Sequence, residues 1–356
     1  MPVRSLAFLT PGNFLDDDPY AGLESTLALF AFGEQLGYQG AWVRQRHLEH
    51  GVSSAATFLA AATQRTSTIE LGTAVIPIGY ESPFRLGEDL ATVDVLSRGR
   101  LQAGLSAGTP PHVELLGEKV FDGEWRDVDF SHARIERLAD GLRGTYFGDE
   151  DTRIVSPGNV QRPRLQPHSP GLVERLWYGA ASRRSSLWAA EHGLHLLAGN
   201  IVAGEESDDF VTAQRANLAA FRAAWTGAHP PRVALGRVVV PTDGADRASR
   251  ERYHEYARSR HERTLAPVGP RRTLFAPDLV GSSDELVERL LADEAVSDVD
   301  ELRLELPYEL TAEDYEQILR DVATLVAPRL GWQPSTAVPS GSTPRVAQPV
   351  PAGERG

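Results

Sequence analysis

The sequence predicts an α/β chain of the (β/α)8, or TIM-barrel, class with insertions, and three observations predict it. Strand and helix signals alternate along almost the whole 356-residue chain, short aliphatic runs giving way to stretches with helical hydrophobic spacing. Seven or eight such units precede the tail, which favours one barrel over two separate sheets. Several strands also end in small residues, which let a ligand approach the backbone where parallel sheets carry their chemistry.

The run Ile69–Gly108 shows the unit most plainly. Aliphatic residues crowd Ile69–Ile78, which reads as one strand closed by Pro77 and Gly79. Pro83 opens a helix in its first turn, where a missing N–H costs nothing. Leu86, Leu90, Val93 and Leu96 recur at helical spacing, Gly99 stops the helix, and Leu101–Ser106 is the next buried strand. Upstream, Val3–Leu9 and Gly40–Val43 read as strands, Tyr20–Leu36 and Ser54–Arg65 as helices. Downstream, a helix over Ser131–Phe147 leads into a polar, proline-dotted connection from Gly148 to Gly171. Strands then follow at Leu176–Ala180, Leu194–Ile201, Arg232–Val240 and Glu301–Leu306. They alternate with helices at Arg184–His192, Ser207–Trp225, Arg247–His261, Ser283–Leu291 and Ala312–Leu325. The proline-containing stretch Leu265–Leu279 is either a lid over the strand ends or a long surface connection. Residues 1–332 thus form the barrel. Residues 333–356, rich in Pro, Ser and Gly with few apolar groups, read as a disordered tail.

Composition excludes several functions. A net charge of −13 argues against nucleic acid or an anionic membrane as the main partner. The absence of cysteine removes disulfides, thiolate nucleophiles and Cys-ligated metals. The N-terminus is too short in apolar residues for a signal peptide, and no run is long enough to span a membrane. A soluble cytoplasmic enzyme is expected.

Three segments carry chemistry. Gly104–Gly108 matches G-x-S-x-G, but Thr109, Pro110 and Pro111 disfavour the immediate helix that a hydrolase nucleophile elbow needs at Ser106. The segment Trp42–His47 ends the second strand, where His47 is a candidate acid, base or hydrogen-bond donor beside Gln45. His47, Glu49 and His50 lack a standard metal-binding spacing, so no metal is expected. Finally, a strand ending at Gly179–Ala180 runs into Ser182-Arg183-Arg184-Ser185-Ser186 at a helix start. Hydroxyls, free N–H groups and the positive helix end there favour a phosphate over the plainer reading of an N-cap with arginines in solvent.

Taken in order, these segments resemble the luciferase-like flavin-dependent monooxygenases, the family of the bacterial luciferase α subunit. WVRQRHL is similar to its W-V-x-E/Q-H-H-F segment and LGTAVIPI to its LGTAV strand. SPFRLGEDLATVDVLSRGRLQAGLSAG resembles the segment that follows, SRRSSLWAAEHGLHLL the S-x-x-S/T motif, and VGSSDELVERL with VDELRLELP the closing unit. The resemblance implies a reduced FMN cofactor, or on the same scaffold a deazaflavin coenzyme. With FMN and dioxygen it implies oxygenation of a small organic substrate through a flavin hydroperoxide, with an NAD(P)H-dependent flavin reductase as partner and a homodimer as the assembly. With deazaflavin it implies a dehydrogenase or reductase, and a third implied alternative is a non-catalytic subunit.

Residue by residue, the resemblance places Ala74 and Val75 at a non-prolyl cis peptide beneath the flavin ring, and Ser106 against the flavin. Ala107 and Gly108 fall at its phosphate side, and Ser182 and Ser185 at the phosphate hydroxyls. His47 aligns with the second histidine of the pair. Arg46 replaces the first, which shifts any proton handling to His47, with Gln45 assisting. Ala107 replaces a phosphate-binding arginine, a role that Arg183 or Arg184 is expected to take. Tyr80, Phe84, Trp125 and the stretch Leu265–Leu279 are candidates for shaping the substrate pocket.

Overall fold

The computed structural model describes residues 3–299, 301–308 and 310–335. Eight parallel strands close into a barrel: β1 (Ser5–Thr10), β2 (Gly40–Val43), β3 (Glu70–Thr73), β4 (Leu101–Ser106), β5 (Leu176–Gly179), β6 (His195–Ala198), β7 (Val233–Arg237) and β8 (Glu301–Glu305). Neighbours in sequence are neighbours in space. β8 pairs back onto β1 with Ala7 opposite Arg303, and β3 meets β4 with Leu71 opposite Leu101.

Helices α1 (Pro19–Gln35), α2 (Ala55–Thr63), α3 (Pro83–Ser97), α4 (Val113–Val120), α5 (Ala133–Leu142), α6 (Arg183–Glu191), α7 (Phe210–Ala223), α8 (Arg247–Ser259), α9 (Ser283–Ala292) and α10 (Ala312–Asp321) lie outside the strands or in the connections. Their ends follow local chemistry. Asp18 caps α1 ahead of Pro19, and Ser282 with Glu285 and Thr311 with Asp314 form capping boxes on α9 and α10. Helix α3 stops where Arg98 and Gly99 both turn left-handed, so the predicted glycine stop acts one residue later than the turn begins. Among the described residues no helix is long and apolar enough to cross a membrane.

Alternation along the strands separates two cores. Leu6 and Phe8 of β1 face the helices, Phe8 lying edge-on to Phe30 of α1 at 5.8 Å. Ala7, Leu9, Trp42, Trp177, Leu197 and Ala234 point inward as a separate apolar cluster, with Trp42 and Trp177 edge-to-face at 5.4 Å. Gly72 makes room for them, because a Cβ there would lie 2.1 Å from the Trp42 ring.

The structure differs from expectation in several places. The predicted strand Ile69–Ile78 breaks after Thr73, where the Ala74–Val75 peptide is cis. The Thr73 hydroxyl takes over the pairing, donating to Gly104 O and accepting from Gly104 N, both at 2.8 Å, and pairing resumes at Ile76–Pro77. Beyond β6, the chain turns away at Ile201–Ala203 to pair antiparallel with Thr273–Phe275. The stretch 265–279 therefore contains a strand tied to this connection. Helix α4 begins at Val113, beyond the two prolines, and was not evident in the sequence. Lastly, α5 is shorter than Ser131–Phe147, ending ahead of a left-handed Gly144. The expected tail lies outside the described residues from position 336 on. Its first residues pack on the lower face, Ser335 N donating to Gly37 O at 2.9 Å.

Candidate functional site

The upper ends of the strands surround a cavity of about 310 Å³, within the range of small-ligand sites. Leu9 of β1 and Leu197 of β6 give it an apolar floor, and Ala74 and Val75 give it one wall. Arg44–His47 follow β2 into it, Ser106 ends β4 at its edge, and Gly179–Ala181 leave β5 along it. Arg303 and Glu305 of β8 close the remaining side. Gly179 is required by close approach: a Cβ there would sit 2.9 Å from Val75 Cγ1.

His47 and Gln45 are placed by a chain of hydrogen bonds. Gln45 Oε1 accepts from Ala55 N at 3.0 Å, where α2 begins. This fixes the side-chain amide so that Nε2 donates to Glu81 Oε1 at 2.7 Å and faces His47 Nε2 at 3.4 Å. An amide nitrogen has only protons to offer, so His47 Nε2 is the acceptor and its proton sits on Nδ1. Burial lowers the His47 pKa, with Glu81 opposing the shift in part, and the ring is neutral at pH 7. Tyr80 packs edge-on to the imidazole at 5.0 Å. Phe84 and Trp125 do not line the cavity. Phe84 packs on Phe147 at 5.9 Å and Trp125 on Gly117 and Arg126, because both stand on helical segments beyond the mouth.

The second part of the site lies beside the cavity at the start of α6. Ser182 and Ser185 form a reciprocal capping box with their hydroxyls 2.7 Å apart. The two arginines separate here. Arg183 is held by acids of the chain, its backbone N–H donating to Glu205 Oε2 at 2.8 Å and its guanidinium to Glu206 at 3.0 Å. Arg184 has no ion pair among the described residues, and its charge helps lower the pKa of His132 after burial. His132 stacks on Trp188 at 4.0 Å and meets the Tyr178 hydroxyl at 2.9 Å, which in turn touches the Ala107 backbone. Gly108 is left-handed, with its N–H on Phe130 O at 2.8 Å.

The predicted residues thus fall into two groups. Gln45, His47, Ala74, Val75 and Ser106 meet in the cavity, whereas Ala107, Gly108, Ser182, Arg183, Arg184 and Ser185 lie past its rim. Several cavity residues escaped sequence reading. Arg44 Nη2 donates to Glu305 Oε2 at 2.9 Å and also bonds the Tyr308 hydroxyl. Arg303 lies buried between Trp42 and Glu305. The signal for Arg303 and Glu305 was present: in ELRLE the charges alternate in a buried strand, which sends all three into the barrel.

Comparison with known proteins places this geometry in a family. The sequence profile of the luciferase-like monooxygenases matches residues 3–302. The chain is 32% identical over 164 residues to 4-hydroxyprotoasukamycin monooxygenase of Streptomyces nodosus subsp. asukaensis, covering 45% of this chain and 42% of the relative. It is 36% identical over 189 residues to limonene 1,2-monooxygenase of Rhodococcus erythropolis, covering 49% and 48%. These matches therefore span about half the length of the curated relatives. In fold, the oxygenating constituent of 3,6-diketocamphane monooxygenase from Pseudomonas putida, in complex with FMN, superposes with a TM-score of 0.67 at 15% identity over 92% of this chain and 99% of that one. An F420-dependent secondary alcohol dehydrogenase does so with a TM-score of 0.60 at 15% identity over 93% and 99%. With a family profile covering the barrel from its first strand to its last, the chain belongs to the luciferase-like monooxygenase family.

Proposed function

We propose that the protein is the oxygenase component of a two-component flavin-dependent monooxygenase. It takes reduced FMN from an NAD(P)H-dependent flavin reductase and uses dioxygen to oxygenate a small organic substrate. The observation that carries this reading is the convergence in one cavity of the Ala74–Val75 wall, the close-approach Gly179 and the neutral His47, beside the start of α6. The residues fit the cofactor: an apolar wall suits a ring, and Arg184, which has no ion pair among the described residues, suits a phosphate together with the Ser182 and Ser185 hydroxyls. Because Arg183 is tied to Glu206, Arg184 is the residue that replaces the arginine missing at Ala107. When bound, reduced FMN supplies the electrons that activate dioxygen.

The chain's own residues position and protect. Leu9, Ala74, Val75 and Leu197 exclude water from the reacting face. His47 offers its Nδ1–H as a hydrogen-bond donor to the substrate or the cofactor, and Gln45, anchored on Ala55 and Glu81, fixes the ring that carries it.

A second reading, hydride transfer with a deazaflavin, is favoured by the fold shared with an F420-dependent dehydrogenase and by the loss of the phosphate arginine at Ala107. Anaerobic titration with reduced FMN and, separately, reduced deazaflavin, followed by admission of oxygen, tests both. Tight FMN binding with a long-lived oxygen-dependent absorbance change is the expected result. Selective deazaflavin binding with no reaction toward oxygen would replace it by hydride transfer, and binding of neither would leave a non-catalytic subunit.

A further inference from the structure

Three arginines and two glutamates line the cavity: Arg44, Arg46, Arg303, Glu49 and Glu305. Two of the arginines are matched. Arg44 Nη2 lies 2.9 Å from Glu305 Oε2, and Arg46 Nη1 lies 3.8 Å from Glu49 Oε1. Arg303 has only a distant share of an acid already engaged, 4.0 Å from Glu305 Oε1. Its side chain is 3% exposed, yet neither Nε nor Nη1 has a hydrogen-bond partner among the described residues. The Trp42 ring, 5.5 Å away, steadies the guanidinium and satisfies neither donor. One register below, Glu301 is committed to Arg232 at 2.9 Å and makes no ion pair with Arg303 among the described residues. The surplus of cations repeats one layer further out. Arg260 and Arg263 share the single carboxylate of Asp278 at 2.6 and 3.8 Å, Arg263 Nε is also buried without a partner, and Arg263 is close enough to Glu305 to feel its charge. The whole chain carries −13, so this positive wall is a local reversal of its composition.

We propose that the β8 wall of the cavity is a substrate subsite, and that the substrate is a small organic acid whose carboxylate bonds Arg303. The inference rests on the flavin reading above for the reaction that follows, though not for the binding itself. A buried guanidinium with open donors has lost hydration that a carboxylate returns, with matching geometry and opposite charge. A neutral molecule of the same shape accepts a bond but leaves the charge unbalanced. The apolar body of the acid then lies over Leu9 and Leu197, and its far end points across the barrel toward the Ala74–Val75 wall. The carbon skeleton, not the acid group, is thereby presented to the cofactor.

The test uses cyclohexanecarboxylate and its neutral isostere cyclohexanecarboxamide, titrated calorimetrically into the whole protein near pH 7, first without flavin and then with saturating oxidised FMN. The wild type is expected to hold the carboxylate at least about tenfold more tightly, the scale of one charge-assisted bond, with and without FMN. Arg303→Met is expected to reduce that preference to less than about twofold, Arg303→Lys to keep most of it, and Arg184→Ala to leave it unchanged. Equal affinity for the two probes, or binding of neither, overturns the proposal without any variant. So does a preference that survives in Arg303→Met, or one lost in Arg184→Ala, which would seat the carboxylate at the start of α6. Displacement of the carboxylate by FMN also overturns it, because the wall would then belong to the flavin. A carboxylate preference in a protein that binds no FMN is a different result: the subsite stands and the flavin reading falls.

Discussion

The lower end of the barrel half-buries one arginine among acids and tryptophan, the upper end buries another, and they complete the arrangement differently. Below, Arg232 makes a fork onto Glu70 at 3.0 and 2.8 Å and a further bond to Glu301 at 2.9 Å. Gln102 joins Glu70 to the Trp177 indole, and only the buried Glu301 Oε1 of this set lacks a partner among the described residues. Above, Arg303 shares an acid already engaged by Arg44 and keeps two donors unmet. A closed network contributes stability, whereas an open one has lost solvation without replacement unless something else arrives. The lower set is the more nearly closed, and the upper set lies at the cavity.

Four measurements break or sharpen that contrast. The largest effect is expected at the mouth: His47→Ala should lower turnover by about 10²-fold or more, the scale of a lost acid–base group, with an unchanged thermal midpoint. Next, Arg232→Met should cost about 1–2 kcal/mol, because it strands the buried Glu301 carboxylate while Glu70 stays partly solvated, whereas Arg303→Met should cost almost nothing. Urea midpoints of the two variants compare the ends directly, and equal losses would erase the distinction.

The third concerns pH. Burial, then the charge of Arg232, pushes the His195 pKa from 6.5 down to about 4, so the unfolded chain binds the proton first. Stability is therefore full above about pH 6.5 and falls as pH drops toward 4. His195→Gln should flatten that part of a urea-midpoint profile. The smallest effect separates the arginines past the rim: Arg184→Ala should weaken FMN by about tenfold, the scale of one charge-assisted bond. Arg183→Ala, already paired with Glu206, should change FMN affinity by less than about threefold, and isothermal titration reads both.

Periodic signals made most of the barrel legible. The Leu86–Leu90–Val93 spacing and the aliphatic run Leu101–Ser106 each gave an element close to its observed span. What escaped depends on contacts between distant residues. The resemblance of LGTAVIPI placed the cis peptide at Ala74–Val75, where it lies, but the break after Thr73 needs Gly104 across the seam, and no periodicity in ELGTAVIP announces it. Gln45 could be singled out at a strand end, yet its anchor Glu81 lies 36 positions away. Arg44 finds Glu305 at a separation of 261. Ser182 to Ser185 read as a phosphate site ahead of a plain N-cap with arginines in solvent. The structure shows the cap formed, and among the described residues Arg183 is paired and Arg184 is not. The charges of β8 were readable from alternation alone, but their sharing of one acid was not.

The carboxylate of Glu205 on the first N–H of α6 bears on how the protein lives between turnovers. A helix start that awaits a phosphate is often left with bare donors when the phosphate departs. Here the chain supplies its own anion, so the empty protein has little reason to unravel at that point. Under the proposed function, in which flavin comes from a reductase and leaves again, the cofactor is then a visitor rather than part of the scaffold.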